Sequence, residues 1–215
     1  SINGMIYMRG QARDYDQWAQ MGCTGWGWDD VLPLFRCAED HHAGDSDLHG
    51  AGGEWRVEKT RVRWQVLDSF LEAAEQAGIP RTDDFNSGDN EGGGYFEVNQ
   101  RAGIRWNTSK AFLRPAKARK NLHILTGAQA ERLIIAEGEV KGVVYHHEGR
   151  SITAHAARET VLCAGAIGSP ALLELSGIGD GAVLQNAGIA PVVEVPQVGG
   201  NLQDHLQLRL VYKVH

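Results

Sequence analysis

The stretch from residue 160 to residue 179 constrains the fold more than any other. The β-forming residues TVLC (160–163) lead into the small residues Ala164, Gly165 and Ala166, and then into an apolar helical run that ends at SGIG. Small residues there let a ligand lie against the backbone, and a helix start offers N–H groups to phosphate. A plain strand-to-helix turn with tight packing needs the same residues, so the pattern alone leaves both interpretations open.

Hydrophobic periodicity predicts helices in the first half of the chain. The clearest is 64–78, whose apolar residues share one face and which ends at Gly78, shortly before Pro80. Either Asp29 or Asp30 is suited to cap the helix predicted over 28–40. The predicted helices are 14–22, 28–40, 64–78 and 107–120.

After residue 120 the pattern becomes that of strands. Glu137-Gly138 and Glu148-Gly149 occupy hairpin-turn positions between β-forming runs, which predicts an antiparallel meander. The runs are 121–125, 130–136, 139–145 and 150–156, of which the last three form the meander. With 160–163 as the buried central strand of a parallel sheet, the predicted fold class is α/β, a mixture of helices and strands with an inserted meander.

Composition narrows the class of protein. The net charge is −6, from 21 basic and 27 acidic residues, which argues against a nucleic-acid partner. No apolar run approaches the roughly 18 residues of a membrane span. Cys23, Cys37 and Cys163 form no closely spaced pair, which fits a reducing, cytoplasmic location. The sequence begins abruptly, without a signal-peptide pattern, which suggests a fragment of a longer protein.

A histidine-rich, glycine-rich stretch is the strongest candidate for a metal site. Its possible ligands are His41, His42, Asp45, Asp47 and His49. Imidazoles and carboxylates bind zinc, but their spacing matches no known zinc motif, and nothing in the pattern fixes their geometry. We therefore predict a mobile, solvated loop and assign no metal ligand. A metal-dependent hydrolase using His41–His49 remains the least favoured alternative.

Several segments together resemble the glucose–methanol–choline (GMC) family of flavin-dependent oxidoreductases, in particular its choline and alcohol dehydrogenase branch. The resemblance extends along the whole chain in the family's usual order. The segments are SINGMIYMRGQARDYDQWA (1–19), NLHILTGAQAERLI (121–134), VLCAGA (161–166), GAIGSPALLELSGIG (165–179) and QVGGNLQDH (197–205).

The resemblance implies an FAD site, whose residues can be placed by their position in the family's segments. Asn3, Gly4 and Met5 match the loop that passes the flavin and its pyrophosphate. Ala130 matches the position whose backbone meets the adenine, and Ala164 and Gly165 match the strand end beside the ADP half. Ile2 stands where some relatives carry a flavin-linking histidine, so no covalent flavin is expected there. On this interpretation a cofactor explains the small residues that follow TVLC.

The resemblance also implies a division of the chain. The expected fold is the second half of an FAD-binding, Rossmann-like domain with the inserted meander, plus part of a substrate domain. The segments are 1–63, which covers the cofactor; 64–120, in the substrate domain; 121–200, in the FAD domain; and 201–215, which begins the substrate-domain sheet.

The family reaction transfers hydride from a primary alcohol or choline to FAD and yields an aldehyde. The family's GxGxxG unit and its C-terminal catalytic histidine are not found in this sequence, and His205 reads as structural. We therefore assign no catalytic residue and expect the chain alone to be inactive and to bind FAD weakly. The expected partner is a small alcohol, and the whole enzyme could lie at a membrane periphery. The remaining alternative is a non-catalytic module that self-associates, as a homodimer, through exposed sheet edges.

Overall fold

A computed structural model describes residues 3–213 of the chain, so Ile2 lies outside the described residues. The chain divides into two compact units, Ser1–His123 (unit 1) and Ile124–His215 (unit 2). Each is described by itself below.

The helices of unit 1 lie near the predicted positions: the first begins and ends two residues earlier than predicted, and the others are shorter. Gly27, rather than an aspartate, is the N-cap of the second helix, and its N–H donates to the Asp30 carboxylate at 3.1 Å. The third helix is followed by Gly78, whose φ of 90° suits only glycine well. The helices are α1 (Ala12–Gln20), α2 (Trp28–Ala38), α3 (Gln65–Gln76), a π-helix (Ser109–Leu113) and α4 (Arg114–Ala116).

Unit 1 is organised around a three-stranded sheet in the order β1-β2-β3, with β1 parallel and β3 antiparallel to β2. His41 pairs with Val57, and Glu97 pairs with Lys59, two residues further along β2. Directly paired residues point to the same face, as do alternate residues of a strand. His41 and Glu97 therefore share the face on which Val57 is fully buried. The strands of unit 1 are β1 (Glu39–His41), β2 (Trp55–Lys59), β3 (Glu97–Val98), β4 (Gln100–Arg101) and β5 (Ile104–Arg105).

Unit 2 contains the predicted antiparallel meander, which is confirmed. Its two hairpins turn at Glu137-Gly138 and Glu148-Gly149, all four with positive φ. The meander consists of β6 (Gln129–Ala136), β7 (Glu139–His147) and β8 (Arg150–His155). The elements after it are α5 (Gly165–Leu175), β9 (Ile178–Gly179), α6 (Gly181–Asn186) and β10 (Val193–Glu194), with β9 and β10 parallel.

A small apolar core holds unit 2 together. Leu133 of β6, Val144 of β7, Leu172 of α5 and Leu184 of α6 are buried. The Ser176 hydroxyl after α5 accepts a hydrogen bond of 2.8 Å from the Leu133 N–H, which fixes α5 beside the sheet.

Two predicted strands are wrong. Residues 121–125 and 160–163 have no strand structure, and Val161 is 79% exposed rather than buried in a parallel sheet. A strand exists only where a second strand pairs with it, and no described strand pairs with either segment. The helix after the second segment begins at Gly165, within the small residues that follow TVLC.

The predicted helix 107–120 is also irregular. Asn107 begins it, since the Lys110 N–H donates to the Asn107 side chain at 3.0 Å. The bonding then widens to a π-helix over Ser109–Leu113, and the helix ends at Ala116, directly after Pro115, which has no N–H to donate.

The apolar face predicted for 64–78 exists but is only partly covered within the described residues. Val66 and Leu67 of α3 are 48% and 44% exposed. Across residues 3–213, no helix is long and apolar enough to cross a bilayer.

Candidate cofactor-binding site

The residues predicted to pass the flavin form a tight turn in unit 1. The Asn3 side-chain oxygen accepts a hydrogen bond of 2.9 Å from the Met5 N–H, and Met5 has a φ of 65°. This left-handed conformation costs a non-glycine residue about 1 kcal/mol. The Met5 carbonyl accepts from the Asn99 N–H at 2.8 Å, which ties the turn to the end of β3.

Arg105 of β5 fixes the same turn from the other side. Its guanidinium donates to the Asn3 carbonyl at 2.9 Å and to the Asn3 side-chain oxygen at 3.2 Å. The Lys110 ammonium donates to the Arg105 carbonyl at 2.7 Å. Two hydrogen bonds from one guanidinium to two oxygens of the same residue fix the direction of the chain at Asn3. Sequence reasoning missed Arg105, because nothing in the neighbourhood of residue 105 indicates a partner at residue 3.

A cleft of about 280 Å³ opens beside this turn. Amide, cationic and indole groups line it, and the Trp106 ring is held in place by a hydrogen bond of 2.8 Å to the Glu54 carbonyl. Such a lining suits a ligand with a flat polar ring, for which stacking and hydrogen bonds act together. The lining residues are Asn3, Met5, Trp55, Asn99, Arg105, Trp106, Asn107 and Thr108.

The remaining predicted cofactor residues lie in unit 2. Ala130 is on β6, opposite Tyr145 of β7. Ala164 and Gly165 are adjacent at the start of α5, and Gly165 has a φ of 86°. A Cβ added to Gly165 would meet no atom within 4 Å. A glycine at position 165 is therefore explained by the positive φ of the backbone, and it leaves open space beside the chain. Tight packing of neighbouring residues does not explain it.

The prediction of a mobile, solvated histidine loop is wrong. His41 and His49 are 6% and 4% exposed. A Cβ on Gly50 would overlap the Arg36 carbonyl of α2, and one on Gly53 would overlap the backbone of Ala38. These glycines permit close packing of the loop on α2 and do not signal flexibility. Asp45 and Asp47 are exposed, and Asp45 pairs with Arg36 at 3.1 Å.

His49 is the centre of a buried ionic network. Its Nδ1 lies 3.0 Å from Glu39 Oε1, and its Nε2 lies 2.9 Å from Asp84 Oδ2. Burial acts to lower the pKa of His49, but the hydrogen bonds and charges of the two carboxylates outweigh it and raise that pKa. The two carboxylates therefore favour the imidazolium form of His49, which donates from both ring nitrogens.

Glu39 completes the network. Burial acts to raise the pKa of Glu39, but His49 and the Gly50 N–H, which donates at 2.9 Å, lower it. Glu39 is fully buried as a carboxylate. Sequence reasoning missed Glu39 and Asp84, and also Glu97, which contacts His41 and His42 across more than 50 residues of chain.

Unit 1 thus has a polar, indole-lined cleft beside a left-handed turn, and unit 2 has an antiparallel meander packed on a helix, which together give a mixed α/β protein. The chain belongs to the GMC oxidoreductase family, whose family model matches residues 1–207. The resemblance identified in the sequence is thereby confirmed.

Individual relatives refine this assignment. The chain is 41% identical over 207 residues to the oxygen-dependent choline dehydrogenase of Rhizobium johnstonii, covering 96% of this chain and 38% of that protein. It is 41% identical over 208 residues to the mitochondrial choline dehydrogenase of Homo sapiens, covering 97% of this chain and 35% of that protein. The chain thus spans little more than a third of these relatives.

Solved structures agree on the fold. Pyridoxine 4-oxidase from Mesorbium loti matches with a TM-score of 0.85 and 36% identity, over 91% of this chain and 39% of that one. An FAD-dependent oxidoreductase from Chaetomium thermophilum matches with a TM-score of 0.84 and 26% identity, over 91% of this chain and 36% of that one.

Proposed function

We propose that these residues form part of an FAD-dependent enzyme that oxidises a primary alcohol or choline to the aldehyde. The observation that carries the proposal is the family match over residues 1–207, joined to two choline dehydrogenases among the relatives. The substrate class rests on the names of those relatives. Choline is therefore the first substrate to test.

The residues present fit FAD in two places. In unit 1, the Asn3–Met5 turn borders the cleft, which offers amide groups and indole rings to a flat ring system. In unit 2, the start of α5 carries Gly165, with open space where a side chain would stand, and helix N–H groups that favour phosphate. Ala130 on β6 is proposed to contact the adenine with its backbone.

FAD, when bound, supplies the hydride acceptor for the alcohol carbon. We propose that the residues of this chain shape the site. The Arg105 guanidinium donates to the Asn3 carbonyl and side-chain oxygen, and the Asn99 N–H donates to the Met5 carbonyl. We propose no residue of this chain as the base that takes the hydroxyl proton. The division into segments 1–63, 64–120, 121–200 and 201–215 is part of the same proposal.

The cofactor test uses the purified 215-residue chain. We expect a colourless preparation and only weak quenching of added FAD fluorescence, because the sequence has no GxGxxG turn to bind the pyrophosphate. A yellow preparation that retains flavin after dialysis would contradict this expectation. Saturable quenching with a raised melting temperature would show that these residues bind FAD without that turn.

The substrate test uses the flavin-loaded enzyme that contains these residues. Under anaerobic conditions, choline or a simple primary alcohol should bleach the flavin absorbance as hydride is transferred. Failure of choline and of a series of primary alcohols to bleach a bound flavin would exclude the proposed substrate class.

Self-association is a second candidate, favoured by one observation. The apolar face of α3 is partly exposed, with Val66 and Leu67 about half exposed. A homodimer would show a sedimentation coefficient that rises with protein concentration, and a constant value would exclude it. Cys23, Cys37 and Cys163 are free thiols, which supports a cytoplasmic location as part of the proposal.

A further inference from the structure

A second group of chemically active side chains lies in unit 1 and has no part in the proposed flavin site. It consists of His41 at the end of β1, His42 directly after it, and Glu97 at the start of β3, here called the His-His-Glu triad. His41 and Glu97 share the sheet face on either side of Val57, as the strand register requires. The side chains of His41 and Glu97 are 5% and 4% exposed.

The donor atoms of the triad converge on one point. His41 Nε2 lies 3.0 Å from Glu97 Oε2, and His42 Nε2 lies 2.6 Å from Glu97 Oε1. All three side chains place a donor atom within 4.8 Å of the others. Ligands bound to zinc at about 2.0–2.2 Å stand about 2.8–3.6 Å from one another, so small movements bring these atoms to coordinating positions.

We propose that the His-His-Glu triad binds a divalent transition-metal cation, for which Zn²⁺ has the best-matched donor set. Two imidazole nitrogens and a carboxylate suit a borderline-soft ion better than Mg²⁺ or Ca²⁺, which prefer oxygen ligands alone. His42 has a side chain that is 24% exposed, which gives the ion an entry path and leaves one position for water. This proposal is independent of the proposed flavin chemistry.

A neighbouring set, Glu39, His41 and His49, is also close enough to hold an ion but is already occupied by its own hydrogen bonds. Both nitrogens of His49 face carboxylates, and the Gly50 N–H donates to Glu39. The Arg9 guanidinium lies 3.2 Å from His49 Nδ1 and repels a cation there. The charge balance therefore directs the ion to Glu97. His49 instead stacks on the His41 ring at 3.9 Å and fixes its orientation.

Metal binding restricts the tautomer of the two ligand imidazoles. A ring nitrogen that coordinates a metal carries no proton, so when Nε2 binds the ion the ring proton stands on Nδ1. For His41 this sacrifices the contact in which Nδ1 accepts from the Ala43 N–H. At 3.4 Å that contact is longer than either contact of the two histidines with Glu97, so its loss costs little.

The test is a titration of the purified, chelator-treated chain with Zn²⁺ against a chromogenic competitor. We expect saturation at one equivalent and a raised melting temperature, since an ion that binds only the folded state stabilises it. His42→Gln, at the most exposed ligand, should keep the fold and weaken binding about tenfold or more. Glu97→Gln keeps the side-chain volume and should weaken binding similarly.

The matched control is His146→Gln, from the other His-His pair of the chain. His146 is exposed on β7, opposite Gln129 and Ser151, so its removal should leave Zn²⁺ affinity unchanged. Absence of saturable Zn²⁺ binding to the wild-type chain overturns the proposal. Binding that His42→Gln and Glu97→Gln leave unaltered also overturns it. Neither result bears on FAD, so failure of this site is distinguishable from failure of the proposed function.

Discussion

Unit 1 and unit 2 fill their interiors with different chemistry. Among the described residues, every buried charged or amide side chain lies in unit 1, whereas the buried side chains named for unit 2 are apolar. Those of unit 1 are Arg9, Glu39, His41, His49, Asn86, Glu97, Asn99 and Gln100. Buried polar groups require specific partners, while apolar groups require mainly the right volume. The two units should therefore respond differently to substitutions that preserve shape.

The largest effect should come from Glu39→Gln in unit 1. The amide keeps the shape but loses the charge that holds the His49 imidazolium, and its NH₂ group must face the Gly50 or His49 donor. We expect a loss of about 3 kcal/mol in the free energy of unfolding, as for other broken buried ion pairs. Urea unfolding measures it.

The matched variant in unit 2 is Leu184→Met, at a side chain that is 1% exposed. A volume-conserving apolar exchange should cost less than about 1.5 kcal/mol. If Glu39→Gln and Leu184→Met cost the same, the distinction between a polar and an apolar interior has no energetic meaning in this protein.

Gly50→Ala should have the next largest effect. The new Cβ would overlap the Arg36 carbonyl, so either α2 or the histidine loop must move. We expect a loss of about 2 kcal/mol in thermal or urea unfolding. Gly200→Ala in unit 2, where a Cβ would meet nothing closer than 3.5 Å, serves as the control and should change stability by less than about 0.5 kcal/mol. A neutral Gly50→Ala would mean that the loop is not packed on α2.

The smallest effect concerns pH. The raised pKa of His49 gives stabilisation that is complete below about 6.5, its ordinary value, and is lost as pH rises through the folded-state pKa. The lowered pKa of Glu39 gives stabilisation that is present above its ordinary value and is lost as pH falls through the folded-state pKa. Stability should thus decline on both sides of a central range.

The measurement is urea unfolding of the wild type and His49→Gln across pH, with a chelator present so that metal binding does not contribute. The alkaline decline should be smaller in the variant than in the wild type. Equal alkaline declines would show that His49 is not the charged centre of the network.

The same contrast explains what could be predicted from the sequence. The meander of unit 2 is built from neighbouring segments whose turns carry Glu-Gly signals, so local pattern suffices. The network of unit 1 joins His49 to Asp84 and His41 to Glu97 across 35 and 56 positions. No local periodicity encodes such pairs, and glycines that permit close packing look the same in sequence as glycines that permit motion.

The strand predicted at 160–163 failed for a related reason. Its residues have a high β-propensity, but a strand also requires a second strand to pair with. No described strand pairs with residues 160–163. The residues proposed to contact the cofactor are an intermediate case. The family segments point to Asn3, Gly4 and Met5, but Arg105, which donates to Asn3, has no such signal.

The bond between Arg105 and Asn3 also bears on the order in which the chain folds. It spans 102 positions, so the Asn3–Met5 turn acquires this partner only once the chain has been made as far as Arg105. Contacts of such large sequence separation form slowly, whereas adjacent hairpins such as those of the meander close quickly. The Asn3–Met5 turn therefore precedes the meander in the sequence but is expected to be fixed more slowly than the meander's hairpins.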